Sequence, residues 1–587
     1  MRDSIMWVQE INPLGSIGLS ALVAAIPILI LFYALAIRRM KGHIAGIITL
    51  LSAIGVAIIA YGMPVKLALL STLYGILTGL FPIGWIVLCA VFLYNLTVKT
   101  GYFGIIKDSI ASITEDRRLQ ALLIGYCFGA FLEGAAGFGA PVAITAGMLV
   151  GLGFQPLYAA GLCLIANTAP VAFGGIGIPI ITAGKVSGLD PMVVSQMIAN
   201  QLPLLSFVVP FWLVFIMSGW KGTKEVFAPV FVTAASFSVT MWFVAKYIGP
   251  ELPNILSALV SIVVLVSFLK VWKPKNIWRF PNEPAASMEV KKHPMGRIVQ
   301  AWTPFIVLTV LIGDWGISGI KYLLDQFTLA IPMIGLDKAI LVGSQPLEVV
   351  YKFNWLGAAG TAILIATIIS ALILRIRPGT YVSVFGETLN NLKYSLTTIA
   401  CVLGFAYIAN FAGITPTLGQ ALTVTGSFFP FVSPFLGWLG VFVTGSDTSA
   451  NALFCNMQRI TAEQIDVNPV LTVTANTSGG VAGKMISPQS IAVACASVNL
   501  VGKESDLFRF TVKHSLLFTA IMGIVVYVQA YYLRGMVPDV INTSAVTQAA
   551  AAPDQGFSII ALAVSITIMV VLGLVAARQS KSYREDI

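Results

Sequence analysis

The amino-acid sequence predicts an all-α polytopic membrane protein with about 12–13 transmembrane helices, arranged as two inverted repeats. Each repeat is expected to carry a re-entrant hairpin and a broken helix. Three observations predict this: an apolar composition, a long-range internal repeat, and a basic charge excess that sorts to one side of the membrane. The 587 residues are 57% hydrophobic and 10% charged, with a mean hydropathy of +0.89. Soluble domains carry about 25% charged residues, so this chain could not cover its surface with polar groups in water.

Apolar runs near the ~20 residues needed to cross a bilayer centre on residues 15–37, 43–61, 82–97, 191–217, 227–248, 255–269, 301–312, 355–374, 392–411, 515–531 and 557–575. The first 14 residues are polar and lack a basic segment before a small-residue cleavage site, so they read as an uncleaved start. The net charge of +10 reflects orientation rather than nucleic-acid binding. With the N-terminus outside and the C-terminus cytoplasmic, most Lys and Arg fall inside, among them Arg117, Arg118, Arg375, Arg377 and the basic stretch 270–297. Cytoplasmic excess of Lys and Arg is the usual rule. Lys484 alone is left within the membrane.

The repeat is carried by GAFLEGAAGFGAP at 129–141 and GVFVTGSDTSANA at 440–452. Gly134 aligns with Gly445 at an offset of 311 residues, and Cys89 with Cys401 and Gly101 with Gly413 at 312. Downstream, ANTAP at 166–170 recurs as ANTSG at 475–479. The segment after the first set of spans carries Lys99, Lys107, Arg117 and Arg118, whereas its counterpart at 411–430 has no charge. The halves therefore mount in opposite senses. Re-entrant hairpins are expected at 119–150 and 430–458, because neither leg of either spans alone. Broken helices follow at 157–181 and 469–498. The organisation reads as a first repeat at 15–218, extra helices and a basic loop at 219–299, a second repeat at 300–534, and an outer loop, last span and tail at 535–587. Duplicated interrupted segments of this kind mark the binding site of secondary transporters.

Four backbone breaks are expected around one cavity, and the polar residues at them are the candidate site. Glu133 and Asp447 sit at the two hairpin tips. A charged side chain at mid-bilayer costs about 2.5–3.5 kcal/mol on the insertion scale, so each is expected to be protonated, paired or water-facing. Both are candidates for proton coupling. Lys484 needs a carboxylate partner, either a protein acid or a substrate. Candidate substrate ligands are Lys484, Asn167, Thr168, Asn476, Thr477, Ser478, Ser446, Thr448 and Ser449, with Gly134, Gly137 and Gly139 allowing close backbone approach. Each has a plainer reading: polar groups also cap half-helices, and glycines also serve helix packing. The six cysteines are single and the three histidines scattered, so no disulfide framework or zinc site is expected. FGGIG lacks a strand–turn–helix frame and no Walker motif occurs, so neither a cofactor nor ATP is expected.

FLEGAAGFGAPVAI, ANTAPVAFGGIGIP, GSDTSANALF and TANTSGGVAGKMISPQSIAVACA resemble the signature blocks of the bacterial L-lactate permease family, carriers of lactate and glycolate grouped with the ion transporter superfamily. The resemblance covers essentially the whole chain. It implies uptake of L-lactate, D-lactate, glycolate or similar 2-hydroxy-monocarboxylates with protons across the bacterial inner membrane. It also implies inverted repeats with re-entrant hairpins, and a homodimer that moves a transport domain against a scaffold. The substrate and protons, with the lipid bilayer, are then the partners, and no nucleic acid. A sodium-coupled carboxylate carrier on the same scaffold is the alternative reading. An intramembrane enzyme lacks a Ser–His or His–metal set.

Overall fold

The structure is a computed structural model that describes residues 6–38, 40–135, 137, 140–281, 291–538 and 564–576. Among these, 11 helices are long and apolar enough to cross a membrane, and four shorter apolar helices of 10–17 residues accompany them. The chain is an integral, mainly helical membrane protein. Two of the long helices, Val65–Lys99 and Pro378–Ala412, run for 35 residues each. The sequence reading left residues 65–78 between spans because Gly79 and Pro82 look like a stop. They instead kink the helix, with Phe81 extended at φ −138°, and helical structure resumes through Lys99.

The expectation of a purely helical chain is corrected at one end of the molecule. Trp7–Val8 pairs in parallel with Ile340–Val342, which pairs in turn with Gln345–Pro346, while Leu329–Pro332 pairs with Val350–Phe353. Strands of two to four residues are too short to show an alternating pattern. Arg118, expected on the cytoplasmic side, and His514 are both buried. Arg118 is fully buried, with salt bridges to Asp116 at 2.8 Å and Glu225 at 2.9 Å. His514 is buried and accepts a hydrogen bond from Trp212 Nε1 at 3.2 Å.

Both 35-residue helices end at a glycine in the left-handed region, Gly101 (φ 79°) and Gly413 (φ 97°), and each glycine opens a short helix, Tyr102–Ala111 or Ile414–Leu422. In the first short helix Phe103, Ile106 and Ile110 are buried, the spacing of one helical face. Residues 564–576 form a helix inside the last predicted span; the rest of that region beyond 538 lies outside the described residues.

Eight helices build the site: α1 (Gly129–Ala135), α2 (Ala140–Gly151), α3 (Pro156–Ala166), α4 (Gly174–Ser187), α5 (Phe429–Thr444), α6 (Asp447–Gln464), α7 (Pro469–Lys484) and α8 (Pro488–Ser497). Helix α6 runs six residues past the expected end of the second hairpin, to Gln464. The two interrupted segments break at different places. In the first, α3 stops just before Asn167-Thr168, a 3₁₀ turn covers Ala169–Phe173, and Gly175, Ile176 and Gly177 are all left-handed. In the second, α7 passes unbroken through Asn476-Thr477 and stops at Lys484. Proline explains the difference. Pro170 follows the first Asn-Thr pair almost directly, whereas the second meets no proline until Pro488, and proline removes a backbone donor and clashes with the preceding turn.

Helix α7 lies against α5 with almost no gap. A Cβ added at Gly479 would overlap the Pro434 carbonyl, and one at Gly437 would overlap the Asn476 carbonyl. Small residues let helix backbones approach in this way. Gly479→Ala is therefore expected to destabilise the protein by about 1–3 kcal/mol, the usual cost of overpacking. A melting temperature in detergent equal to that of the wild type would show that α5 and α7 can separate.

Candidate functional site

A cavity lies where four chain interruptions converge. The tip after α1 contributes Glu133 and Gly137, and the first broken segment Val171, Gly174, Gly175, Ile178 and Pro179. The α5–α6 turn contributes Gly445, Ser446, Asp447 and Thr448; Lys484, Gln489, Ser490 and Val493 complete the wall from α7 and α8. The empty space, with its open mouth, is about 590 Å³.

Sequence and local geometry explain each placement. Gly445 is left-handed (φ 70°), which ends α5. Ser446 then caps α6, its hydroxyl accepting the Ser449 amide. Ser487 caps α8 in the same way through the Ser490 amide. The first turns of α6 and α8 both border the cavity, and helix N-termini with their free N–H groups favour anions. Glu133, 2% exposed, accepts a hydrogen bond from Asn167 Nδ2 at 3.0 Å. Gly174 leaves room for it, since a Cβ there would come within 2.7 Å of Glu133 Oε1. Asp447, 3% exposed, differs: neither carboxylate oxygen has a hydrogen-bond partner. Lys484 is 9% exposed and, among the described residues, makes no salt bridge.

The expected site residues separate into two groups. Glu133, Gly137, Ser446, Thr448, Asp447 and Lys484 line the cavity. Asn167 stands behind Glu133, and the Thr168 hydroxyl turns to the Ile165 carbonyl at 2.7 Å. Asn476 and Thr477 lie in the unbroken part of α7 and donate to Asn451 Oδ1 at 2.9 and 3.1 Å. The Ser478 hydroxyl donates back to Ala475, and the Ser449 side chain is not among the lining groups. Gly134 packs on Asn254 and Ile255. Gly139 lies outside the described residues.

The structure adds Gln489, Ser490, Gln458 and Asn254, which the sequence reading passed over, and gives Asn451 its partners. Gln489 and Ser490 border the cavity; the Ser487-Pro488 pair, a helix-start signal, could have pointed to them. Asn451 donates through Nδ2 to the Pro179 carbonyl at 3.0 Å, and Gln458 Nε2 donates to Asn476 Oδ1 at 2.7 Å. This amide chain ties α6 and α7 to the first broken segment. Asn254 Nδ2 donates to the Pro170 carbonyl, filling an acceptor freed by the same break.

Comparison with known proteins shows the family. The L-lactate permease family profile matches residues 20–533. The glycolate permease GlcA of Escherichia coli is 53% identical over 556 residues, covering 91% of this chain and 99% of the relative. The L-lactate permeases of Salmonella typhimurium and Bacillus subtilis are 52% and 50% identical, each over 91% of this chain and 100% of the relative. Among solved structures, the YdaH transporter of Alcanivorax borkumensis is similar over 80% of this chain and 90% of its own, with a TM-score of 0.43 and 14% identity. With a family match across 20–533 and half or more of the aligned residues shared with these permeases over nearly their whole length, the chain belongs to the L-lactate permease family.

Proposed function

We propose that the chain is a secondary active transporter of the bacterial inner membrane. It takes up L-lactate and related 2-hydroxy-monocarboxylates, D-lactate and glycolate among them, by proton symport. The observation that carries this reading is a single cavity bordered by two buried carboxyl side chains and one buried ammonium, with no salt bridge joining them. A monocarboxylate entering the membrane interior loses its hydration and needs fixed positive charge or aimed helix N-termini. Lys484 and the first turns of α6 and α8 supply both. Glu133 and Asp447 are the groups that can take up the coupled proton. The names of the relatives, lactate and glycolate permeases, favour the same substrate class.

The scaffold we propose is a pair of inverted repeats, α1–α4 with the helices before them matching α5–α8 with theirs, each with a re-entrant hairpin. The equivalent left-handed glycines Gly101 and Gly413 and the convergence of both tips on one cavity support it. The charge distribution supports an outside N-terminus and a cytoplasmic C-terminus; the homodimer rests on the family resemblance.

Purified protein in proteoliposomes tests the coupling. In sodium-free buffer, an interior made alkaline relative to the outside is expected to drive labelled lactate to a transient level above equilibrium, and dissipating the pH gradient should abolish this. Accumulation that needs a sodium gradient and ignores the pH gradient would overturn proton symport.

A further inference from the structure

Among the buried polar groups of the cavity, Asp447 alone has a carboxylate wholly without donors. Both oxygens lie in the wall with no hydrogen-bond partner, although the residue is 3% exposed. Glu133, the other acid, already accepts from Asn167. A buried acceptor left unmade costs about 1–3 kcal/mol, more for a charged group, so the site is unfavourable until something donates to Asp447. The carboxylate is also held in place. A Cβ at Gly480 would overlap Asp447 Oδ1, so the group rests directly on α7.

Lys484 lies four residues beyond Gly480 on α7, hence on the same helical face. The ammonium and the carboxylate thus border the same space from adjacent turns, without a salt bridge between them. A molecule that fits between them presents an acceptor anion to Lys484 and, one carbon away, a donor to Asp447. A 2-hydroxy-monocarboxylate has that arrangement; the simple carboxylate lacking its hydroxyl does not.

We propose that Asp447 is the specificity-determining residue that accepts the substrate's 2-hydroxyl hydrogen, with Lys484 facing the carboxylate. This rests on the transport of 2-hydroxy acids proposed above, and it leaves Glu133 as the proton site. Sites built to hydrogen-bond a substrate hydroxyl reject analogues without it strongly, because the buried protein group is then left unpaired.

The test is competition against labelled lactate exchange in proteoliposomes at equal pH on both sides, so that proton driving force plays no part. Propionate lacks the hydroxyl, and 2-methoxypropionate can accept but not donate. In the wild type both are expected to compete about a hundredfold more weakly than lactate, the worth of one hydrogen bond to a charged group. Asp447→Ala should shrink that gap below tenfold by weakening lactate rather than strengthening propionate. Asp447→Asn keeps the shape and one acceptor oxygen but loses the charge-assisted bond, and should fall between. If Asp447→Ala does not fold, the narrowed gap in Asp447→Asn carries the result. Equal competition by lactate and propionate in the wild type, or an unchanged gap in the folded variants, overturns the assignment. Lack of any saturable lactate exchange in the wild type overturns the transport function itself, a result distinct from both.

Discussion

Glu133→Gln is expected to abolish gradient-driven accumulation of lactate while leaving exchange of internal for external lactate measurable. Glu133 is buried at a chain interruption and borders the cavity that holds Lys484. Glutamine keeps the length of the side chain, and its amide oxygen can still accept the Asn167 hydrogen bond seen at 3.0 Å. Little packing should therefore change, and what disappears is the ability to gain and lose a proton. Exchange needs only binding and the passage of the loaded carrier in both directions; uphill uptake also needs a proton to be bound outside and released inside. The two assays should separate, with accumulation falling to the passive level and exchange retained within about tenfold, a change in binding of no more than ~1.4 kcal/mol. Unchanged accumulation under an imposed pH gradient would remove Glu133 from coupling. Loss of both activities in a protein that still folds would make it a positioning group for the tip instead.

The contrast between what could and could not be read from the chain follows from this chemistry. Glu133, Asp447 and Lys484 stand out in the sequence because a charge in an apolar segment is costly, and all three border one cavity. Asn476 and Thr477 stand out for the same reason, but amides and hydroxyls can satisfy one another. Asn451 and Gln458 engage them, and no local pattern announces partners 18 to 26 residues away. The break after the second Asn-Thr pair was misplaced because glycine permits an interruption while proline enforces one. Gly479 and Gly480 remain helical since their missing side chains make room for the Pro434 carbonyl and for Asp447. Gln489 shows a further limit. It is a cavity residue only because it packs on Gly445 of the opposing turn, a tertiary contact across 44 residues. The helical spans were legible from apolar run lengths, whereas Val65–Thr78 was lost to a kink that resembles an end, and the short strands had no periodicity to read.

Neutralising Lys484 should have the largest effect on substrate affinity. Lys484→Met keeps most of the aliphatic stem and removes the charge. Loss of an exposed ion pair would cost about 0–1 kcal/mol. Here the ammonium is buried and borders the cavity, so lactate affinity is expected to fall by well over tenfold, beyond ~1.4 kcal/mol. Lys484→Arg should rescue only in part, because a planar guanidinium differs from an ammonium in shape and hydration. A structural role makes a different forecast. If Lys484 served mainly to neutralise Asp447, the single variant would suffer from a lone buried carboxylate, and adding Asp447→Asn would relieve it. On the substrate role, Lys484 faces the carboxylate rather than Asp447, with which it makes no salt bridge among the described residues. The double variant should then bind lactate no better than Lys484→Met alone, since it has lost the group facing the carboxylate and weakened the one facing the hydroxyl. Isothermal titration or competition with labelled lactate across the two single variants and the double variant decides the matter. Affinity restored to the wild-type level in the double variant would assign Lys484 to the protein's own charge balance and leave the substrate anion to the helix N-termini of α6 and α8.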